Sequence, residues 1–91
     1  MSVGLANLVR TADICGGRLR VEGTRITVNQ IVSLYKRGMN AEEIADEYPQ
    51  LNLAQVYTAL AYYHSNRDEI ESDLESERAE AEGLETKFKK P

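Results

Sequence analysis

The residues of this sequence best suited to chemistry are its basic side chains, and the chemistry they suit is the binding of anions. Arg18, Arg20 and Arg25 lie close together after a pair of glycines, and Lys36 and Arg37 follow them. Guanidinium and ammonium groups pair with phosphate oxygens. These five cations are therefore predicted to contact the phosphates of a nucleic acid.

Residues that could support catalysis are few. His64 and Cys15 are the only histidine and cysteine, and no metal-ligand spacing can be built from them. Gly16-Gly17 lacks the longer glycine spacing and the lysine of a phosphate-binding loop. A lone cysteine excludes an internal disulfide and fits a reducing compartment. We therefore expect no enzymatic activity, no cofactor and a cytoplasmic protein without a membrane span.

Charge is distributed unevenly along the chain of 91 residues, whose net charge is −4. Residues 1–40 carry six basic and two acidic side chains, whereas residues 41–82 carry two basic and twelve acidic ones. Such asymmetry indicates that the two parts meet different partners. Two solvated faces of opposite sign remain an alternative.

A short β-ribbon is predicted before the helices. In the segment 18–21, Leu19 and Val21 alternate with two arginines, which is typical of a strand with one apolar and one cationic face. Glu22-Gly23-Thr24 indicates a tight turn. The segment 25–28 is either a returning strand or the lead into a helix. A ribbon this short must pack on something else or pair with a second copy.

Three helices follow, each with a start signal. Thr27 is a plausible N-cap for a helix that begins at Val28 and stops at Gly38. Asn40, with a glutamate three residues later, predicts a second helix that ends before Pro49.

The third helix is predicted to begin after Asn52. Its spacing favours a buried stripe of Leu53, Val56, Tyr57, Leu60 and Ala61. The outward side would then hold Ala54, Gln55 and Thr58.

The remaining segment is acidic, and its apolar stripe consists mainly of Ile70 and Leu74. We expect a helix that ends at Gly83 and is frayed beyond about Asp73 until a positively charged partner orders it. The chain is accordingly divided into residues 1–66, the ribbon and three helices, and residues 67–91, an acidic tail with a lysine-rich end.

Element lengths favour a mainly α fold with a trihelical helix-turn-helix core, a short N-terminal ribbon and a charged C-terminal helix. On this interpretation Asn52, Gln55 and Thr58 face DNA bases. A plain three-helix bundle is the alternative, because no Lys or Arg occurs from residue 38 to residue 66.

A longer pattern resembles a known family, the small prokaryotic "domain of unknown function 433" family. The resemblance covers roughly residues 10–72, and Leu19 departs from it, because the family usually has proline there. It is carried by the segment Ile14 to Ile26, by Gly38, Glu43-Ile44 and Tyr48-Pro49-Gln50-Leu51, and by Val56, Ala59 to Tyr63 and Glu69-Ile70.

The resemblance implies a homeodomain-like fold and a VapB-type antitoxin, often encoded beside a PIN-like ribonuclease toxin. The leading hypothesis is thus an antitoxin-like DNA-binding regulator whose acidic tail neutralises the toxin. Residues Arg67, Ile70, Leu74 and Arg78 would contact that partner.

The alternative hypothesis is a homodimeric protein-interaction module that does not bind DNA. In either case we expect a homodimer, because a monomer of this size should cover the ribbon only partly. The apolar residues of that ribbon are Leu19, Val21, Ile26 and Val28.

Overall fold

The computed structural model describes the backbone of residues 7–88 and the side chains as far as Gly83. Within these residues the fold is mainly helical, with four helices and one two-stranded antiparallel sheet. The strands are β1 (Leu8–Val9) and β2 (Arg20–Val21). The helices are α1 (Val28–Lys36), α2 (Ala41–Glu47), α3 (Leu53–Ser65) and α4 (Arg67–Phe88).

The ribbon differs in part from its prediction. The partner of β2 is β1, with Leu8 opposite Val21, and the segment 25–28 does not form a second full strand. Thr27 makes only an isolated bridge to Arg20, because the chain turns into α1 at the next residue. The predicted tight turn is confirmed, since the Ile26 carbonyl accepts a hydrogen bond from the Val21 amide at 2.9 Å.

The predicted helix starts are confirmed as reciprocal caps. The side chains of Thr27, Asn40 and Asn52 each accept a hydrogen bond from the backbone three residues later. The side chain at that position in turn accepts a hydrogen bond from the cap residue's own amide, so two free helix donors are satisfied at once.

Gly38 ends α1 with a φ of 101°, a left-handed conformation that side chains rarely adopt. The Met39 amide donates to the Leu34 carbonyl at 3.2 Å, and the Gly38 amide donates to the Tyr35 carbonyl at 3.0 Å. This pair of bonds is a Schellman motif, which turns the chain directly into α2.

One apolar core joins the ribbon to all four helices. Its fully buried members, each at most 2% exposed, are Val21, Val28, Ile31, Val32, Ile44, Val56, Ala59, Tyr63 and Ile70. Val21, Ile26 and Val28 therefore belong to the core of a single chain. Leu19 is half-buried against the same core, so the ribbon does not need a second copy to cover most of its apolar surface.

The rotation of α3 about its axis also differs from the prediction. The buried stripe is Val56, Ala59, Leu60 and Tyr63. Leu53 is 39% exposed and Tyr57 is 58% exposed, and Ala61 is exposed as well. Because α3 carries no acidic residue, lysine or arginine, its pattern contains two apolar stripes, and the sequence does not decide which one faces the core.

Candidate functional site

Three of the six basic side chains in the N-terminal half pair with carboxylates of α4. Arg10 donates to Glu69 at 2.9 Å, and Arg18 donates to Glu77 at 2.8 Å. Lys36, at the end of α1, pairs with Glu71 of α4. We call these three ion pairs the docking pairs, because they fix α4 to three separate places in the chain.

Glu77 has a second partner besides Arg18. The same carboxylate oxygen, Oε2, accepts a hydrogen bond of 2.8 Å from Asn29 Nδ2. Asn29 is buried in the first turn of α1, so its amide needs a polar partner. Glu77 thus joins α4 to α1 and to Arg18, which follows Gly16-Gly17 and precedes β2.

Glu71 is a second carboxylate of α4 that has two partners. It accepts hydrogen bonds from Lys36 and from the Tyr63 hydroxyl. The bond from Lys36, and then the bond from Tyr63, lower the pKa of Glu71 from its usual value of 4.5. The same carboxylate raises the pKa of Tyr63, since a tyrosinate could not donate to it. The Arg67 guanidinium lies 5.2 Å from the Tyr63 ring centroid, within range of a cation–π contact.

Strand alternation predicted Arg20 on an exposed cationic face, but the structure buries this residue. It is only 8% exposed, and its guanidinium donates to the Thr24 carbonyl and the Thr11 hydroxyl, each at 2.9 Å. Neighbouring turns cover the side of β2 opposite Val21, so both sides of this two-residue strand are buried. Arg20 therefore holds the ribbon together.

Arg25 and Arg37 are exposed, and among the described side chains neither forms an ion pair. Arg25 lines an open groove of about 450 Å³ together with Arg18, Cys15 and Gln30. The acids on the α4 side of this groove are Glu77 and Glu80. Of the five cations predicted to bind phosphates, two, Arg18 and Lys36, are thus already paired with carboxylates of α4.

The side chains predicted to face DNA bases are used within α3. Asn52 Oδ1 accepts from the Gln55 amide at 2.9 Å, and Gln55 Oε1 accepts from the Asn52 amide at 2.7 Å. The Thr58 hydroxyl donates to the Ala54 carbonyl at 2.7 Å. A bidentate contact to adenine uses the amide oxygen as well as the nitrogen, so that oxygen would have to accept from the base and from the cap at once.

The residues predicted to meet a toxin also have partners within the chain. Ile70 is 1% exposed in the core, and Leu74 packs against that core. Arg78 pairs with Glu75 and Glu82, on α4 itself.

The helical span of α4 is longer than predicted. It continues through Gly83 to Phe88, so the predicted end at Gly83 is wrong. Fraying beyond Asp73 in the free protein stays a prediction, which amide exchange would test. Sequence reasoning missed the docking pairs because their members are 35 to 59 residues apart. One signal was available: Glu77 follows Ile70 by two helical turns, so it extends the stripe that docks.

Among the described residues no cluster of histidine, cysteine or acidic side chains could hold a metal ion. The same part of the chain contains no helix with the length and apolar character needed to cross a membrane.

Comparison with known proteins identifies the family. The model of the "Protein of unknown function (DUF433)" family matches residues 8–63, and the chain belongs to this family. No curated protein matches. A solved structure that does is the crystal structure of a DUF433 member protein from Anabaena variabilis ATCC 29413 at 2.00 Å resolution, with 30% identity and a TM-score of 0.67. The match covers 74% of this chain and 66% of that one.

Proposed function

We propose that this protein is an antitoxin-like regulator whose basic surface binds operator DNA and whose acidic α4 binds a PIN-like ribonuclease. The observation that supports this is the set of docking pairs. A surface that binds carboxylates in its own chain has the chemistry to bind phosphates, and a helix that binds its own cations has the chemistry to bind a basic partner.

The DNA-binding surface in this proposal consists of the cations of the docking pairs, Arg10, Arg18 and Lys36, together with Arg25 and Arg37. The side chains of the docking pairs are 35–51% exposed. Ion pairs with this exposure contribute about 0–1 kcal/mol each, so phosphates can compete with the carboxylates for the same cations. In this proposal α2 and α3 form a helix-turn-helix supported by α1, and its cations come from α1 and the ribbon.

The partner-binding side of α4 is its solvent-exposed side. Asp68, Glu75 and Glu82 are exposed and lie, by helical spacing, on the side away from Glu77, whereas Ile70 and Leu74 hold the helix to the core. A partner therefore meets an already folded helix and incurs little of the ordering cost of about 1–2 kcal/mol per residue. In this proposal Arg67 and Arg78 also contact the partner, at the edge of this carboxylate surface.

The experiment compares two triple variants with the same change in charge. Glu69→Gln, Glu71→Gln and Glu77→Gln together break the docking pairs, whereas Glu42→Gln, Asp46→Asn and Glu47→Gln neutralise exposed acids on α2. Binding to a duplex from the protein's own promoter and to a random duplex is measured by fluorescence anisotropy over a range of salt concentrations. Circular dichroism checks that both variants keep their helices.

We expect the docking variant to bind promoter DNA more tightly than the wild type and the α2 variant. Its salt dependence should also be steeper, by about one unit of log–log slope for each released cation. Equal gains in both variants would mean that only net charge matters. If no variant prefers promoter DNA to random DNA, the DNA-binding part of the proposal is wrong.

The toxin-binding part is tested separately, by co-expression with the product of a neighbouring reading frame. We expect a complex that forms with the wild type and weakens when Asp68, Glu75 and Glu82 are neutralised together. Unchanged recovery with this variant would exclude the acidic side of α4 as the binding surface.

A second candidate function is a protein-interaction module that forms homodimers and does not bind DNA. The absence of Lys and Arg from residue 38 to residue 66, which includes all of α2 and α3, favours it. So does the apolar character of the exposed part of α3. The promoter experiment decides between the two candidates, because this module would bind neither duplex.

A further inference from the structure

The exposed side of α3 is unlike the other exposed helix surfaces of this chain. No Asp, Glu, Lys or Arg occurs from residue 48 to residue 66, although such residues make up 29% of the chain. Leu53, Ala54, Tyr57 and Ala61 are all exposed. We call these four residues the outer face of α3.

Helical geometry places the outer face as one continuous stripe. Leu53, Tyr57 and Ala61 follow one another at intervals of four residues, which in an α-helix brings them to the same side about 6 Å apart. The contacts with α4 are made from other sides of α3, through Tyr62 and Tyr63. The outer face is therefore not covered by any described part of the chain.

We propose that the outer face binds the outer face of a second copy, with the two α3 helices antiparallel about a two-fold axis near Ala59. In this arrangement Tyr57 of one copy opposes Ala61 of the other, and symmetry repeats the contact. At each of these two contacts a tyrosine ring lies over an alanine, which allows the helices to approach closely. Leu53 packs near Ser65 of the second copy.

Charge supports a second copy over other occupants. Two identical chains of net charge −4 repel each other unless they meet through a neutral surface, and the outer face is neutral. A basic protein or a nucleic acid would find no countercharge here.

This interface is distinct from the ribbon interface expected from the sequence, and it does not depend on DNA or toxin binding. It leaves α4 and the docking pairs exposed. If it forms, DNA contacts fall on the cations along α4, because the outer face of α3 is occupied.

A charge exchange between the two opposed positions tests both the dimer and its register. The variants are Tyr57→Lys and Ala61→Glu, with Ala79→Glu as the matched control on the exposed side of α4. Positions 57, 61 and 79 are all exposed, so circular dichroism should show unchanged helix content. Sedimentation velocity over a concentration series gives the dissociation constant of each.

We expect the wild type and Ala79→Glu to sediment as dimers. Each of the other variants should weaken the dimer by about tenfold or more, as charging a central interface residue does. An equal mixture of Tyr57→Lys and Ala61→Glu should recover a dimer, because the introduced lysine of one chain then faces the introduced glutamate of the other and the second contact stays native. A monomeric wild type would overturn the proposal, and a mixture that stays monomeric would overturn its register.

Discussion

The consecutive helices α3 and α4 are held to the core by opposite kinds of interaction. α3 contributes Val56, Ala59 and Leu60 to the core and has no acidic residue, lysine or arginine. Among its described side chains α4 contributes one that is fully buried, Ile70, and one that is half-buried, Leu74, and its carboxylates accept ion pairs and hydrogen bonds from other elements. Apolar burial has no charge for salt to screen or for acid to titrate, whereas partly exposed ion pairs respond to both. α4 is therefore the element that changing conditions can release.

The largest expected effect is on α3. Leu60 is 6% exposed, so Leu60→Ala should lower the free energy of unfolding by about 2–5 kcal/mol through lost burial and a residual cavity. Urea denaturation measures this. Leu53→Ala on the same helix is the control, and its cost should be under about 1 kcal/mol because Leu53 is 39% exposed. Both are compared in the Ala61→Glu background, which removes the proposed dimer contact. Equal costs would mean that α3 is rotated away from the observed orientation.

A smaller effect is expected where α4 meets α1. Glu77→Gln removes the charge that Arg18 and Asn29 share, and it should cost about 1 kcal/mol. Amide exchange from residue 74 to residue 83 should then accelerate by roughly fivefold. Glu80→Gln is the control, because Glu80 has no hydrogen bond among the described side chains. If both variants leave exchange unchanged, Glu77 does not hold α4 in place.

Local signals in the sequence predicted much of the fold. The caps at Thr27, Asn40 and Asn52 and the stop at Gly38 depend on residues within four positions of each other, so the pattern alone contains them. The side of α3 that faces the core does not follow from such signals. Polar residues usually mark the outward side of a helix, and α3 has too few of them to choose between its stripes.

The candidate site was less predictable, because it depends on contacts between distant parts of the chain. Arg20 was assigned to an exposed face by strand alternation, but Thr11 and Thr24 cover that face. The tail was judged by its own charges, which repel each other at short spacing. In the structure α4 is held by Ile70 and Leu74 and also pairs with Arg10, Arg18 and Lys36, and nothing in the spacing of the tail identifies these cations.

The pH dependence of stability should reveal the contribution of the hydrogen bonds that Glu71 accepts from Lys36 and Tyr63. Because the pKa of Glu71 is lowered from 4.5 in the folded chain, its contribution is fully present above that pH. The contribution is lost as the pH falls through the lowered folded value. The stability difference between wild type and Glu71→Gln should therefore be largest near neutral pH and vanish in strong acid. Carboxyl-detected NMR titration provides the direct check.

Lys36→Met sharpens this test. Lys36 is the first cause of the shift, so its removal should return the pKa of Glu71 towards its usual value. Tyr63→Phe, which removes the second hydrogen bond, should have a smaller effect in the same direction. If Glu71 titrates at the same pH in all three proteins, Lys36 does not lower its pKa.

The smallest effect is expected at Arg78, which pairs only with Glu75 and Glu82 on α4 itself. These exposed pairs add little to a helix and do not join it to the core. Arg78→Ala should therefore leave amide exchange in α4 close to that of the wild type, whereas Arg18→Ala should accelerate it. Both variants remove one arginine, so net charge cannot explain a difference between them. If Arg78→Ala releases α4 as much as Arg18→Ala does, the helix is held by its own stability, and the docking pairs are incidental contacts.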